Sequence, residues 1–403
     1  MRKRSVLLIL VLSLLCFFVA ACTADDDDDD HDDDMIDDDN DTTDDDSVDD
    51  DDTSPDDDTI DDDTSPDDDT SDDDDDEIGA AIVVGGSEEY GPVAWIRSAK
   101  GWSVLAIPGA PGSYPLNDVA ASGSGTAFLV GGYGQTAGVY EYKDDALNDR
   151  SFACYSCWQF GVALSATAPA AGAGCFAHSG FTASRIWIDD GVTFNAAPVT
   201  EPNAYGMCVA RDVCWIDDNE AVAVGRDYYS GQGILWSGNE TGFAPEDPPL
   251  LLGQWELTAV AACPDGDAYA VGVNTTQTQG LVLRRDAGNW TKETLPNVSA
   301  DWDLRGIACA DGHVFAVGYD KTNGRGVLLK KDDGWSRITL PLADGDWGLE
   351  GVAIDSAGNG LLVGFDAQDA QALIFRRSAD EWIQEAAPTA EANQPLLGVA
   401  LLD

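Results

Sequence analysis

Histidine, methionine and basic side chains are scarce in this 403-residue chain. It has 3 His, 3 Met and 21 Lys plus Arg, against 75 Asp plus Glu and a net charge of −54. Nucleic acid is bound through clustered Lys and Arg that displace counterions, so this charge balance excludes that class of partner. His31, His178 and His313 are the only imidazoles, which leaves little material for histidine-centred catalysis or a zinc site. No Gly-x-Ser-x-Gly, His-Glu-x-x-His or phosphate-loop motif occurs. Function has to be sought in the architecture, because no motif announces a reaction.

The acidity is uneven. Residues 25–77 hold 34 Asp and Glu77, with no Lys, Arg or Gly. Of the 75 acidic residues 40 therefore lie in 78–403, facing 18 of the 21 basic ones, a net of −22 there. The tract has almost nothing apolar to bury and repels itself, which predicts a disordered, extended linker. Thr-Ser-Pro-Asp-Asp-Asp-Thr occurs twice in it, at 53–59 and 64–70. Calcium loops need a central Gly and a closing Glu. Without a Gly the tract is expected to bind Ca2+ only weakly, and no other cofactor is expected. Its plainest role is a soluble stalk.

Residues 1–21 carry Arg2, Lys3 and Arg4 and then an apolar run that ends in small residues, the pattern of a secretory signal peptide. Val19-Ala20-Ala21-Cys22 resembles the lipobox of bacterial lipoproteins. That resemblance implies acylation of Cys22 and anchoring of the exported protein to a membrane. With Thr23 after the Cys it implies the outer membrane, on its periplasmic or surface side.

From residue 78 onward the chain repeats. The clearest unit, 304–341, reads as four short strands: 304–310, a turn at Asp311-Gly312, 313–318 ending in Val-Gly, 326–331, and 335–340. Asp-Gly between β-rich runs is a hairpin signal. Val-Gly recurs at Gly85, Gly131, Gly225, Gly272, Gly318 and Gly364, mostly 46 residues apart. The interval from 131 to 225 is twice that, so a degenerate seventh unit is expected between them, with Phe176-Ala177 at the landmark position. Four strands per period of 40–50 residues predict an all-β fold, a seven-bladed β-propeller over 78–403. The first unit lacks a first strand, and 396–403 matches the first-strand pattern, so the C-terminus is expected to close the ring.

The runs at 284–290, 330–335 and 378–382 resemble the Asp-box of sialidase-like propellers, without most of its Ser. Together with the pattern Leu-x-Gly-Val/Ile-Ala, they make 78–403 similar to exported bacterial propellers that include photosystem-assembly factors. Propellers host unrelated activities, so the resemblance speaks to fold. A membrane-anchored, non-enzymatic binding or scaffold module of the cell envelope is the leading reading, monomeric, with an unknown protein or glycan partner. A glycan-binding protein or sialidase-like glycoside hydrolase, and a periplasmic assembly factor, are the alternatives.

An aromatic opens most inner strands: Tyr114, Trp158, Tyr205, Trp255, Trp302 and Trp347, with Gln394 in the first unit. Clustered at the channel mouth, these would stack sugars or grip a peptide; packed between blades, they would be structural. The loops at 227–229, 320–325 and 366–369 share a face and vary most, as binding loops on a rigid scaffold do. Beyond Cys22 the exported chain has 7 Cys. A disulfide between Cys208 and Cys214 is one expectation; Cys263 and Cys309, at equivalent positions of adjacent units, read as buried small residues or as an inter-blade bridge.

Overall fold

A computed structural model describes residues 79–402 except 110–113, 165–169, 179–180, 203–206, 342–344, 368–370, 379 and 389–392, with backbone only at 133–136, 153–157, 173–178 and 181–182. Cys22, the Asp-rich tract and Tyr205 lie outside the described residues.

The repeat forms seven blades of four antiparallel strands. Blade 6 shows the plan, running outward from the axis as Trp302–Ala310, His313–Asp320, Arg325–Lys331 and Trp335–Ile338. The first hairpin turns at Asp311 and Gly312, both at positive φ (28° and 83°), as the Asp-Gly pair dictates. The other inner strands are Leu116–Ala121 in blade 2, Phe152–Ala163 in blade 3, Cys208–Trp215 in blade 4, Glu256–Ala262 in blade 5 and Trp347–Ile354 in blade 7. Blade 1 takes its inner strand from the C-terminus: Leu396–Leu402 pairs antiparallel with Ala80–Ser87. The ring closes as the repeat pattern predicts.

The Val-Gly landmark has a steric cause. Every inner strand carries a β-bulge opposite it, so that two inner residues face one on the second strand. The inner backbone is thereby pushed toward the second strand. A Cβ on Gly272 would lie 2.0 Å from the Glu256 carbonyl oxygen, and one on Gly318 2.0 Å from that of Asp303. Only Gly fits there.

The same register corrects the degenerate unit. In blade 3 the bulge falls between Gln159 and Gly161, opposite Gly174 and Ala173. Ala173-Gly174 is thus the landmark pair, not Phe176-Ala177. Blades 2 and 3 are also joined: the third strand of blade 2, Tyr133–Lys143, begins by pairing with the inner strand of blade 3 before continuing along its own blade. This shared strand shifts the period that the sequence search assumed.

Packing is between blades. One apolar cluster joins Val222, Val224 and Leu235 of blade 4 to Leu257, Ala268 and Leu281 of blade 5. Another joins Leu361 and Val363 of blade 7 to Val83 and Trp95 of blade 1. Distributing the core over such seams lets a chain of this size avoid a single large interior. Ion pairs sit over the seams. Glu246 of blade 4 accepts from Arg285 Nη2 of blade 5 at 2.8 Å and from the Trp290 indole. Glu385 of blade 7 accepts from the Trp102 indole at 2.9 Å and lies 3.5 Å from Arg97, both in blade 1. The closing seam uses the same device as the internal ones.

Candidate functional site

The bulges build the channel. The extra residue of each inner strand has no partner across the ladder, and all seven (Asn117, Phe160, Arg211, Thr258, Arg305, Glu350 and Leu397) line a cavity at the channel mouth. The bulge gives each blade one variable side chain there.

Beneath them sit two half-buried carboxylates, Asp118 and Asp212. Asp118 Oδ2 accepts from the Val162 N–H of blade 3 at 2.8 Å. Asp212 Oδ2 accepts from Val260 N–H of blade 5 at 2.8 Å, and its Oδ1 from Val213 N–H at 2.8 Å. Burial pushes both carboxyls up: Asp212 to about 7, and Asp118 well above its usual range with the charge of Asp212 adding to the effect. Each is a structural clasp between blades.

At the mouth, Arg305 bonds Asp303 at 2.8 Å and also Glu350, whose carboxyl is raised by burial against the pull of that guanidinium. Arg226 bonds Glu256 at 2.7 Å and lies over the Tyr228 ring at 5.0 Å. Asp227 and Asp320, buried in the binding-loop positions, hold their own turns: Asp227 accepts from Tyr229 N–H and Ser230 Oγ, Asp320 from Asn323. These acids are committed to the scaffold.

The aromatic ring resolves into two groups. Trp255, Trp302 and Trp347 are buried, Trp302 being 1% exposed. Each lies on a glycine of the preceding blade; a Cβ on Gly233, Gly280 or Gly326 would come within 2.2 Å of the facing indole. They plug seams and present no stacking face, which corrects the reading of them as ligand-binding aromatics. Gln394 is buried as well, and Tyr114 is half-buried. Trp158 alone of the described group stands out, 40% exposed.

Trp158 begins a continuous surface. Its ring meets Phe160 edge-on at 6.0 Å, Arg211 lies over Phe160 at 4.8 Å, and Arg211 Nη2 donates to the Tyr228 hydroxyl at 3.0 Å. The loop of Tyr228 is tied to Met207 through the Tyr228 N–H and to the segment before Trp255 through Gln232, which donates to the Gly253 carbonyl at 3.0 Å. There Leu251 packs into the seam of blades 4 and 5, while Leu250 and Leu252 are left in solvent. Tyr229 is 59% exposed beside them. Sequence reasoning named Trp158 and the 227–229 loop but missed Phe160, Arg211, Leu250 and Leu252. The Leu-x-Gly pattern gave no signal for the first two, since their strands read Gln159-Phe160-Gly161 and Ala210-Arg211-Asp212; only the bulge register makes them equivalent to its variable position.

Cys208 and Cys214 do not pair. They stand at opposite ends of one strand, about 20 Å apart at 3.3 Å per residue, where a disulfide needs Cα atoms under about 7 Å. Among the described residues a bridge joins Cys263 and Cys309, Cα–Cα 5.1 Å, beside the inner strands of blades 5 and 6. Cys214 is a thiol on the channel wall, its ionisation suppressed by burial. Among the described residues no group of three or more His, Cys, Asp or Glu is placed to hold a metal ion.

The fold and its channel define a seven-bladed β-propeller. No protein-family model matches the sequence, and no curated protein does. Solved structures do match in shape. A protein from Lactobacillus plantarum is 13% identical with a TM-score of 0.56, covering 81% of this chain and 100% of its own. A streptogramin B lyase is 11% identical with a TM-score of 0.50, covering 71% and 90%. YCF48 bound to a D1 peptide is 14% identical with a TM-score of 0.45, covering 70% and 89%. At these identities the likeness is one of fold.

Proposed function

We propose that this chain is an exported lipoprotein, acylated at Cys22 and held to the outer membrane, whose propeller is a non-enzymatic binding module. Its contact surface is the mouth sector of blades 3 to 5. The observation that carries the reading is the crowding of exposed large apolar side chains there: Trp158, Met207, Tyr228, Tyr229, Leu250 and Leu252. Monomeric proteins rarely leave such a run in water without a partner, and Trp, Tyr, Met and Arg are the residues enriched at interfaces. The carboxylates of the mouth work against a glycoside hydrolase, since Glu350 is tied to Arg305 and Asp118 and Asp212 to backbone N–H groups.

A photo-crosslinking amino acid placed at Tyr229 in cells tests this. It is expected to give a discrete adduct, and the same probe at Val192, exposed on the outer edge of blade 3, is expected to give none. Equal labelling from both positions, or none from either, sinks the reading. Trp158 beside polar bulge residues also supports a glycan as the partner; a sugar bound on a glycan array and lost on Trp158→Ala would select it.

A further inference from the structure

Resting on that binding surface, we infer that it receives a protein segment in which a carboxylate lies beside apolar side chains, and that Arg211 is the group that receives the carboxylate. The argument is one of charge accounting at the mouth. Among the described residues Arg211 and Arg305 line it, and Arg226 stands nearby over the Tyr228 ring. Arg226 is matched by Glu256, and Arg305 by Asp303 and Glu350. Among the described residues no carboxylate pairs with Arg211. Its contacts are the face of Phe160 and the Tyr228 hydroxyl. Asp212, next in sequence, turns its two oxygens to the Val213 and Val260 N–H groups and makes no ion pair with it.

An unmatched guanidinium is anomalous in a domain of net charge −22, where carboxylates outnumber cations by more than two to one. The local geometry keeps it so. Phe160 supplies a flat apolar floor, and the Tyr228 hydroxyl takes one N–H of the fork. A planar fork held in this way suits a carboxylate, to which Arg donates two parallel hydrogen bonds. The rim extends from the ring of Trp158 on one side to Tyr229, Leu250 and Leu252 on the other. A segment carrying Asp or Glu next to Leu, Phe or Trp would fill both parts at once. A basic segment would meet Arg211 and Arg226 head-on.

The test is to pan a phage-displayed random dodecapeptide library against the full chain carrying Cys22→Ser, and in parallel against the same chain with Arg211→Glu or Arg211→Gln. Thermal unfolding of each variant checks that the fold survives; Arg211→Gln removes the charge without reversing it and leaves a shorter, uncharged amide. The wild-type residue is expected to enrich peptides with an acidic residue flanked by apolar ones. Their affinity should fall by about tenfold or more on Arg211→Gln, and Arg211→Glu should enrich basic peptides in their place. Apolar peptides enriched equally by all three proteins would overturn the carboxylate assignment while leaving a binding surface. Failure of any peptide to enrich overturns both.

Discussion

Asp212 stands where Gly161 of the neighbouring blade has no side chain: a Cβ on Gly161 would lie 2.3 Å from Asp212 Oδ1. Asp118 is housed the same way, 3.1 Å from the place a Cβ on Gly398 would occupy. Both glycines belong to the Leu-x-Gly position of the repeat. Each carboxylate therefore reaches over one blade's glycine to a backbone N–H of another, and the channel wall is laced across its seams.

Stability should accordingly fall as the solution turns alkaline. Asp118 and Asp212 both have folded pKa values above the unfolded one, so the folded state binds more protons. Their contribution is full below about pH 4 and is lost as pH rises through about 7 for Asp212. Asp190 and Asp320, held low by donated hydrogen bonds, act in the opposite sense below about pH 4. The melting temperature is expected to be higher at pH 5 than at pH 8. Asp212→Asn keeps an acceptor for Val260 N–H without the charge, and it should narrow that difference by raising the pH 8 value. An unchanged pH profile in the variant would show that Asp212 is not the group responsible.

The Cys263–Cys309 bridge closes a loop of 46 residues across the seam of blades 5 and 6. In the chain-entropy view a loop of that length is worth roughly 4 kcal/mol. Cys309→Ala, or reduction of the intact protein, should lower the melting temperature by several degrees. Cys214→Ala removes only a small buried thiol and should matter less. Comparable losses from both variants would mean that the bridge does not form in solution.

Anchoring has its own test. Cells supplied with an alkyne-bearing fatty acid should label the full chain, and Cys22→Ser should abolish the label and release the protein from the membrane fraction. Labelling that survives the substitution would remove Cys22 from the proposal.

Much of the ring was legible before any coordinates, because the strand pattern is short-range and repeats. Asp311-Gly312 specifies its own turn, and the C-terminal Leu-Leu-Gly-Val-Ala announces its partner by matching the other inner strands. The site was less legible. Periodicity finds what is alike between blades, and the side chains at the mouth are what differs. Arg211 and Phe160 occupy the position that a repeat pattern records only as variable. Blade 3 misled the count of the landmark for a related reason: its inner strand also pairs with blade 2, so the local spacing departs from the period while the bulge register at Gly174 is kept. Pairing between strands set the landmark there, and that is not written in the spacing.

Tryptophans that look equivalent in the sequence should separate on substitution. Trp302 fills a seam against Gly280 and donates to Gln279 Oε1 at 2.9 Å, so Trp302→Ala opens a large cavity and strands a polar group. A loss of about 3–5 kcal/mol is expected. Trp158 shares the same place in its blade but touches solvent over much of its surface, and Trp158→Ala should cost under about 1 kcal/mol. Crosslinking from Tyr229 should then weaken in Trp158→Ala, whose fold is intact. At a temperature where Trp302→Ala remains folded, it should persist in that variant. Chemical denaturation of the two proteins, read with the same crosslinking assay, checks both halves. A destabilised Trp158→Ala with undiminished crosslinking would place this residue with the seam tryptophans and leave the surface to Tyr228, Tyr229 and the exposed leucines.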